Sequence, residues 1–266
     1  MSQTATGPSE SRNKGPTTMD VLRSLRQPRV AGMLALGFSC GLPFMLVGNT
    51  LGFWAREEGV ELAAIGFLSW VGMAYTFKFL WAPIIDKVDA PFLGKRLGRR
   101  RGWAALAQIV VGAALIGMAA IGPSGGLIAF AAFALIAAFG AATQDIVVDA
   151  WRIERAEADE ELALLSAAHG IGYRIALLCT DALILILAGY VGWSTSYVTA
   201  GLAMGVGLIA VMASLEPTRR NPLIAQALNA PPLWTPRGFA DAVIGPFAAF
   251  FKTHGKMALL MLAAIC

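Results

Sequence analysis

The sequence predicts an all-α integral membrane protein whose centre is a bundle of six membrane-spanning helices. Hydrophobic residues make up 57% of the 266 positions and charged residues only 14%, whereas soluble domains carry about a quarter charged residues. The apolar residues also occur in blocks of about 20, the length with which a helix crosses a bilayer. These observations exclude an ordinary soluble domain and indicate a multi-pass membrane protein.

The six predicted spans are separated by short polar or Gly/Pro-rich breaks. They cover residues 30–54, 63–82, 103–122, 125–150, 164–189 and 193–215. In the first of them, Gly37 and Gly41 have the four-residue spacing that lets two membrane helices approach closely.

A longer Pro-rich segment follows the sixth predicted span. After it, FADAVIGPFAAFFKTHGK has an apolar face and a basic end, which is typical of a helix at the membrane interface. The final KMALLMLAAIC holds about ten apolar residues, too few to cross a bilayer. We therefore expect a cytoplasmic tail with a short amphipathic helix at 1–28, followed by the six-helix bundle at 29–215. A central cytoplasmic loop with an interfacial helix is expected at 216–255, and the truncated start of a seventh span at 256–266.

Lysine and arginine are distributed unequally between the two sides of the predicted bundle. The N-terminal flank and the breaks after the second, fourth and sixth spans carry nearly all of them, while the other side has only Arg56. The positive-inside rule therefore predicts a cytoplasmic N-terminus. The net charge of +4 comes from these basic residues, which flank the spans on one side of the membrane. It therefore reflects membrane orientation, and no nucleic-acid partner is expected. The polar N-terminal residues have no apolar core and do not predict a cleavable signal peptide.

Five charged residues lie inside the predicted spans: Lys78, Asp145, Asp149, Arg174 and Asp181. Ionisable groups at such depth are costly unless they are paired or solvated, so they usually face a protein interior or a water-filled path. A set of structural pairs that fix helix packing is the alternative. The number of these residues favours a transport path.

Asp145 and Asp149 close the fourth predicted span and share one helix face, because they are four residues apart. Two like charges at that spacing repel each other. Asp145, one turn deeper, is the better candidate for carrying protons, and Asp149 is expected at the membrane interface. Lys78 reaches a comparable depth from the second span and is expected to neutralise Asp145. Gln144 offers an amide donor and acceptor to a polar ligand.

The break after the second span contains Asp86-Lys87 followed by Arg99-Arg100-Arg101. This pattern resembles the cytoplasmic signature between helices two and three of major facilitator transporters. The resemblance implies that these five residues latch a cytoplasmic gate. The intervening VDAPFLGKRLG departs from the usual glycine spacing and is expected to alter the geometry of the latch.

Three further stretches resemble the AmpG family of muropeptide permeases within that superfamily. They are GLPFML through RGW at residues 41–103, TQDIVVDAW at 143–151 and GIGYRIALL at 170–178. The resemblance runs from about residue 30 to the start of the seventh span. It implies the N-terminal half of a proton-coupled transporter of the bacterial inner membrane. Such a transporter imports anhydro-muropeptides from the periplasm for cell-wall recycling.

The resemblance also implies roles for individual residues. Lys78, Gln144, Asp145, Asp149, Tyr173 and Arg174 fall on matching positions. We expect Asp145 to carry protons with Lys78 as its switching partner, Gln144 and Tyr173 to bind polar substrate groups, and Arg174 to bind a carboxylate. Asp181 stands where a small residue is expected and receives no role.

Aromatic residues at the span ends predict a membrane-interface belt, and Trp54 is also a candidate for stacking on a sugar. The two histidines and three cysteines form no metal or disulfide pattern, and no catalytic motif is present. We therefore expect neither metal, cofactor nor enzymatic activity.

The expected partners are the lipid bilayer, protons, a small-molecule substrate and a C-terminal six-helix half that this chain lacks. Two alternatives stay open. One is a major facilitator carrier for an acyl-CoA, sugar or peptide, and the other is a receptor or assembly subunit that does not transport.

Overall fold

The structure is a computed structural model that describes residues 27–216, 235–255 and 257. Within these ranges six helical segments are long and apolar enough to cross a membrane, which confirms the predicted all-α membrane fold. We number them spans 1 to 6: Pro28–Glu57, Leu62–Leu80, Arg99–Gly125, Leu127–Arg155, Asp159–Val191 and Trp193–Ala213.

Three parts of the predicted organisation lie outside the described residues. They are the amphipathic helix in the N-terminal tail, most of the central loop at 217–234, and the start of the seventh span. Beyond the loop, a helix covers Pro236–His254 and begins with Thr235, whose side-chain oxygen accepts a hydrogen bond from the Gly238 amide at 3.1 Å. Such a cap satisfies one of the free amides of the first helical turn.

Several spans are built from more than one helix. The α-helices cover Pro28–Leu46, Asn49–Glu57, Leu62–Leu68, Met73–Phe77, Ala82–Lys87, Gly94–Leu97, Arg99–Gly125, Leu127–Arg155, Asp159–Leu178, Ile184–Val191, Trp193–Ala203 and Gly205–Ala213. Span 2 contains 3₁₀ turns at Ser69–Gly72 and Lys78–Leu80, and span 5 contains a π turn at Cys179–Leu183. Irregular turns of this kind inside a helix often mark functional positions.

Spans 3 and 5 begin four to five residues before their predicted apolar segments, at Arg99 and Asp159. The extra first turns are charged, because a helix continues beyond the hydrocarbon region where its side chains meet water and headgroups. The apolar blocks therefore predict the membrane-embedded part of these two helices and not their full length.

Glycines bring span 1 into backbone contact with span 5, which confirms the close approach predicted from Gly37 and Gly41. A Cβ atom built on Gly37 would overlap the backbone carbonyl of His169, and one on Gly41 would lie 2.7 Å from the carbonyl oxygen of Tyr173. From span 5, a Cβ on Gly172 would overlap the carbonyl of Leu34. The two helices therefore have no room for larger side chains at these crossings.

The two ends of the helix bundle differ in their side chains: one end is rich in basic residues, and the other holds a cluster of aromatic rings. One end holds the starts of spans 1, 3 and 5 together with the ends of spans 2, 4 and 6; we call it the basic end because residues 86–101 and 152–155 lie there. At the opposite end Trp54 packs against Phe130, Trp193 and Tyr197 in an apolar core.

Spans 2 and 5 are the least buried of the six within the described chain. Large apolar side chains such as Phe67, Trp70, Leu178 and Ile186 are exposed along them. Contiguous exposure on this scale is unfavourable in water and is characteristic of surfaces covered by lipid or by another protein body.

Candidate transport site

Spans 2 and 4 are joined inside the bundle by an ion pair. The Nζ atom of Lys78 lies 3.8 Å from Oδ2 of Asp145, and the two side chains are 37% and 15% exposed. Asp145 lies ten residues before the end of span 4, which is about 15 Å along the helix. Each charge thus has an opposite charge as a neighbour at a depth where water is scarce, which lowers the cost of burying it. The structure brings these two predicted residues together.

Lys78 is placed by a local change of helix geometry. It is the first residue of the 3₁₀ turn Lys78–Leu80, directly after the short α-helix Met73–Phe77. A 3₁₀ turn is narrower than an α-turn, so it changes the direction in which the following side chains leave the helix. Trp81, next along the chain, anchors this part of span 2 to span 4 by donating from Nε1 to Oγ1 of Thr143 at 3.1 Å.

Three further side chains surround Asp145. The thiol of Cys40 and the phenols of Tyr75 and Tyr173 are close enough to interact electrostatically with its carboxylate. Tyr173 therefore belongs to the same region as Asp145, although it comes from span 5. Phe44 packs edge-on to Tyr75 with ring centroids 5.3 Å apart, and its centroid is 6.3 Å from that of Tyr173.

Gln144 points into the protein and not toward Lys78. Its side chain is completely buried, and Nε2 donates to Oγ of Ser39 at 2.8 Å and to Sγ of Cys40 at 3.4 Å. Gln108 of span 3 also donates to Oγ of Ser39, at 3.3 Å, while that hydroxyl donates to the Leu36 carbonyl at 2.9 Å. We call Ser39, Gln108 and Gln144 the amide cluster.

The amide cluster joins spans 1, 3 and 4 at one point. The Oε1 atoms of Gln108 and Gln144 are buried and have no hydrogen-bond partner in the described part of the chain. Buried polar atoms are usually paired, and those that are not mark strained or functional positions. Ser39 and Gln108 were not predicted from the sequence. Both are uncharged polar residues within an apolar span. Residues of this type form hydrogen bonds between membrane helices, and this feature of the sequence could have identified them.

Asp149 has a different environment from Asp145. Its Oδ1 atom lies 3.1 Å from Nη2 of Arg152, one turn further along the same helix, and its side chain is partly exposed. Asp145 therefore pairs with a cation of another span, Lys78 of span 2. Asp149 pairs with a cation of its own helix and does not join two spans through that pair.

Arg174 and Trp54, predicted to bind substrate, lie in contrasting places. Arg174 is exposed and forms no ion pair within the described ranges. Trp54 is 1% exposed, its ring is covered by Phe130, Trp193 and Tyr197, and Nε1 donates to Glu58 at 3.4 Å. In this conformation a sugar reaches the Trp54 ring only if the aromatic core opens.

At the basic end, a second group of charges joins spans 3 and 4 to the segment after span 2. Nη1 of Arg100 lies 2.7 Å from Oδ1 of Asp86, and its Nη2 lies 2.5 Å from Oε1 of Glu154. Arg99 also binds Glu154, at 3.3 Å, and donates to the Asp86 carbonyl. Arg100 and Glu154 are nearly fully buried. We call Asp86, Arg99, Arg100 and Glu154 the basic-end cluster.

Span 6 is attached to the start of span 3 through Glu216. The carboxylate of Glu216 accepts from the backbone amides of Arg100 and Arg101 at 2.8 and 2.9 Å, where an acidic side chain satisfies free amides and the helix dipole. Lys87 lies partly buried beside Asp86. Asp86, Arg99, Arg100 and Arg101 are therefore in direct contact with one another or with spans 4 and 6.

Arg101 forms a second connection between the start of span 3 and the end of span 6. Its guanidinium donates to the carbonyl oxygens of Val211 and Met212 at 3.1 and 3.0 Å, at the C-terminus of span 6. Sequence reasoning missed Glu154 and Glu216. Their signal was an acidic residue at or just after the end of a span, on the arginine-rich side.

In the described ranges there is no group of three or more side chains suited to holding a metal ion.

Known membrane transporters resemble this chain over most of its length. It is 37% identical over 245 residues to the anhydromuropeptide permease of Escherichia coli (strain K12), covering 92% of this chain and 46% of that protein. It is 37% identical over 186 residues to the putative transporter AmpG 3 of Rickettsia prowazekii (strain Madrid E), covering 70% and 44%. It is 28% identical over 245 residues to the putative transporter AmpG 4 of Rickettsia conorii (strain ATCC VR-613 / Malish 7), covering 91% and 57%.

A family described as acetyl-coenzyme A transporter 1 matches residues 30–130. The chain spans about half the length of the curated relatives it matches.

Proposed function

We propose that the six spans form one half of a proton-coupled importer in the bacterial inner membrane, since this chain belongs to the AmpG family of membrane transporters. In transporters of the major facilitator class the substrate binds between two six-helix halves. The proposed whole protein imports anhydro-muropeptides from periplasm to cytoplasm, with the N-terminus cytoplasmic. The chain described here contributes the proton site, part of the substrate site and part of the cytoplasmic gate.

The Lys78–Asp145 ion pair carries the proposal. When Asp145 is ionised, its carboxylate holds Lys78 and therefore holds span 2 against span 4. When a proton binds to the carboxylate, that attraction is lost and Lys78 is released. A proton arriving from one side of the membrane thereby changes the contact between two helices, which is the requirement for coupling proton movement to a conformational change. Asp149 relays protons between Asp145 and the basic end.

The substrate proposal rests on the named relative together with the chemistry of span 5. An anhydro-muropeptide offers sugar hydroxyls, peptide amides and carboxylates. Tyr173 provides a phenol beside the Asp145 region, and Arg174 provides an exposed cation for a carboxylate. Gln144 acts on the substrate indirectly in this proposal, because its buried amide fixes the position of the neighbouring Asp145.

The basic-end cluster is proposed to hold the cytoplasmic side closed. Arg100 bridges Asp86 and Glu154, while Glu216 binds the start of span 3. Opening a path between these helices requires the separation of charges that are largely shielded from water. Such separation is costly unless new partners replace the old ones. The closed state is thereby favoured until substrate and proton have bound.

A second candidate function is favoured by one observation. The match of residues 30–130 to the acetyl-coenzyme A transporter 1 family supports a carrier for a coenzyme A thioester. Such a substrate carries phosphates, for which Arg174 is also a suitable partner.

The test is uptake by cells that make the full-length protein containing this chain. Radiolabelled anhydro-muropeptide and acetyl-coenzyme A are supplied separately to spheroplasts, with and without a proton uncoupler. The variants are Asp145→Asn, Lys78→Met and the matched control Asp181→Asn, which removes another carboxylate inside the spans. Muropeptide uptake that is abolished by the uncoupler and lost in the first two variants, but kept in the control, supports the proposal.

The other outcomes decide against it in separate ways. Uptake that survives Asp145→Asn removes this residue from the proton step. Uptake of acetyl-coenzyme A alone supports the second candidate. Absence of both activities in a correctly inserted protein points to the receptor or assembly role.

A further inference from the structure

An apolar groove of about 350 Å³ lies between spans 3 and 4. This volume lies within the range of small-molecule sites, roughly 300–1,000 Å³. Its lining includes Trp103, Leu106 and Val110 of span 3 and Ile136, Phe139 and Thr143 of span 4.

The two polar side chains that line the groove already have hydrogen-bond partners within the protein. Thr143 accepts a hydrogen bond from Trp81 at 3.1 Å, and Nε1 of Trp103 donates to the Val88 carbonyl at 2.8 Å. The remaining lining residues are apolar or glycine. The chemistry of the groove therefore suits a hydrocarbon and not a sugar, peptide or ion.

The groove faces away from the candidate transport site. Ile136 lies nine residues before Asp145 on span 4, which places it half a turn around the helix at 100° per residue. Leu135, Ile136 and Phe139 are exposed along the groove. An occupant would therefore enter from the surface that the bilayer surrounds and would not compete with the proposed substrate.

Free cations lie beside the end of the groove that Trp103 occupies. A Cβ atom built on Gly102 would lie 2.9 Å from Cα of Gly94, so the short helix Gly94–Leu97 packs directly on the first turn of span 3. Lys95 and Arg96 follow Gly94 on this helix. Both are exposed, and neither forms an ion pair within the described residues.

We propose that this groove is a binding site for an anionic phospholipid of the leaflet at the basic end. One acyl chain lies along Leu106, Val110 and Ile136, and the phosphate is bound by Lys95 and Arg96. Basic residues next to a membrane surface attract anionic headgroups, and Arg and Lys both bind phosphate oxygens. A packing helix from another protein would fill the groove as well, but it gives no reason for two unpaired cations on the short helix that packs against the first turn of span 3.

Lipid retention by the purified full-length protein tests this proposal. Native mass spectrometry compares phosphatidylglycerol with phosphatidylcholine of identical acyl chains. The wild type is expected to retain phosphatidylglycerol preferentially. The exposed double variant Lys95→Gln/Arg96→Gln is expected to lower its affinity about thirtyfold, because each of the two basic residues contributes about 1 kcal/mol near the headgroups and 1.4 kcal/mol corresponds to a factor of ten.

A groove-filling variant tests the position of the acyl chain. Val110→Trp fills the groove and is expected to abolish the retained lipid, whereas Ile109→Trp, on the neighbouring lipid-facing position outside the groove, is expected to keep it. Equal retention of the two lipids with no effect of the double variant would overturn the proposal, as would unchanged retention in Val110→Trp. Since Lys95 and Arg96 are exposed, their variant remains a valid test if the tryptophan variant fails to fold.

Discussion

The Nη2 atom of Arg100 lies 2.5 Å from Oε1 of Glu154, and both side chains are less than 5% exposed. The two residues come from spans 3 and 4 and are separated by 54 positions in the chain. Glu154 also binds Arg99, so its single carboxylate is shared by two buried guanidinium groups. This arrangement makes Glu154 the central acidic residue of the basic-end cluster.

We predict that Glu154→Gln destabilises the protein strongly. The change leaves Arg99 and Arg100 buried with less compensating charge, and breaking a buried pair from one side typically costs about 3–5 kcal/mol. Thermal unfolding of the purified protein in detergent measures the effect. The matched control is Glu157→Gln, which removes a carboxylate from an exposed pair with Arg29 and should cost less than about 1 kcal/mol. Equal shifts for the two variants would contradict the assigned role of Glu154.

We predict that Gly172→Ala separates spans 1 and 5. The added Cβ overlaps the backbone carbonyl of Leu34, which no side-chain rotation can relieve. Overpacking of this kind typically costs about 1–3 kcal/mol, so the yield of folded protein and its unfolding temperature should both fall. The control is Gly170→Ala on the same helix, where an added Cβ meets no atom within 4 Å. A Gly170 variant that is as unstable as the Gly172 variant would refute the close helix contact as the cause.

We predict that Ser39→Ala loosens the amide cluster. The hydroxyl of Ser39 is the shared acceptor for Gln108 and Gln144, so its removal leaves two buried amide donors short of a partner. A buried unsatisfied donor costs about 1–3 kcal/mol. Hydrogen exchange of spans 1, 3 and 4 should accelerate, and the unfolding temperature should fall.

Ser69→Ala serves as the matched control for the amide cluster. Ser69 is exposed, and its hydroxyl donates only to the Ile65 carbonyl of its own span at 3.1 Å. Its replacement should leave hydrogen exchange in spans 1, 3 and 4 unchanged. If Ser39→Ala behaves in the same way, the cluster does not hold the three spans together.

The candidate site was partly predictable because depth in the membrane follows from position along a helix. Lys78 and Asp145 lie four and five residues before the ends of their predicted spans, and a pair of opposite charges at similar depth favours contact. Gln144 shows the limit of this argument. Its depth was predicted, but its direction was not, because the rotation of span 4 is set by packing against spans 1 and 3.

The sequence by itself determined the number of spans, the close helix approach that Gly37 and Gly41 permit and the basic character of one end. These properties are encoded locally, in apolar runs of about 20 residues and in the residues that flank them. Only the tertiary structure decided that Glu154 and Glu216 bind the arginines of span 3, that Gln144 joins Ser39 and Gln108, and that Trp54 is enclosed by aromatic rings. Arg100 and Glu216 are 116 residues apart. Such pairings depend on which helix faces pack together, and no local pattern in the chain specifies that choice.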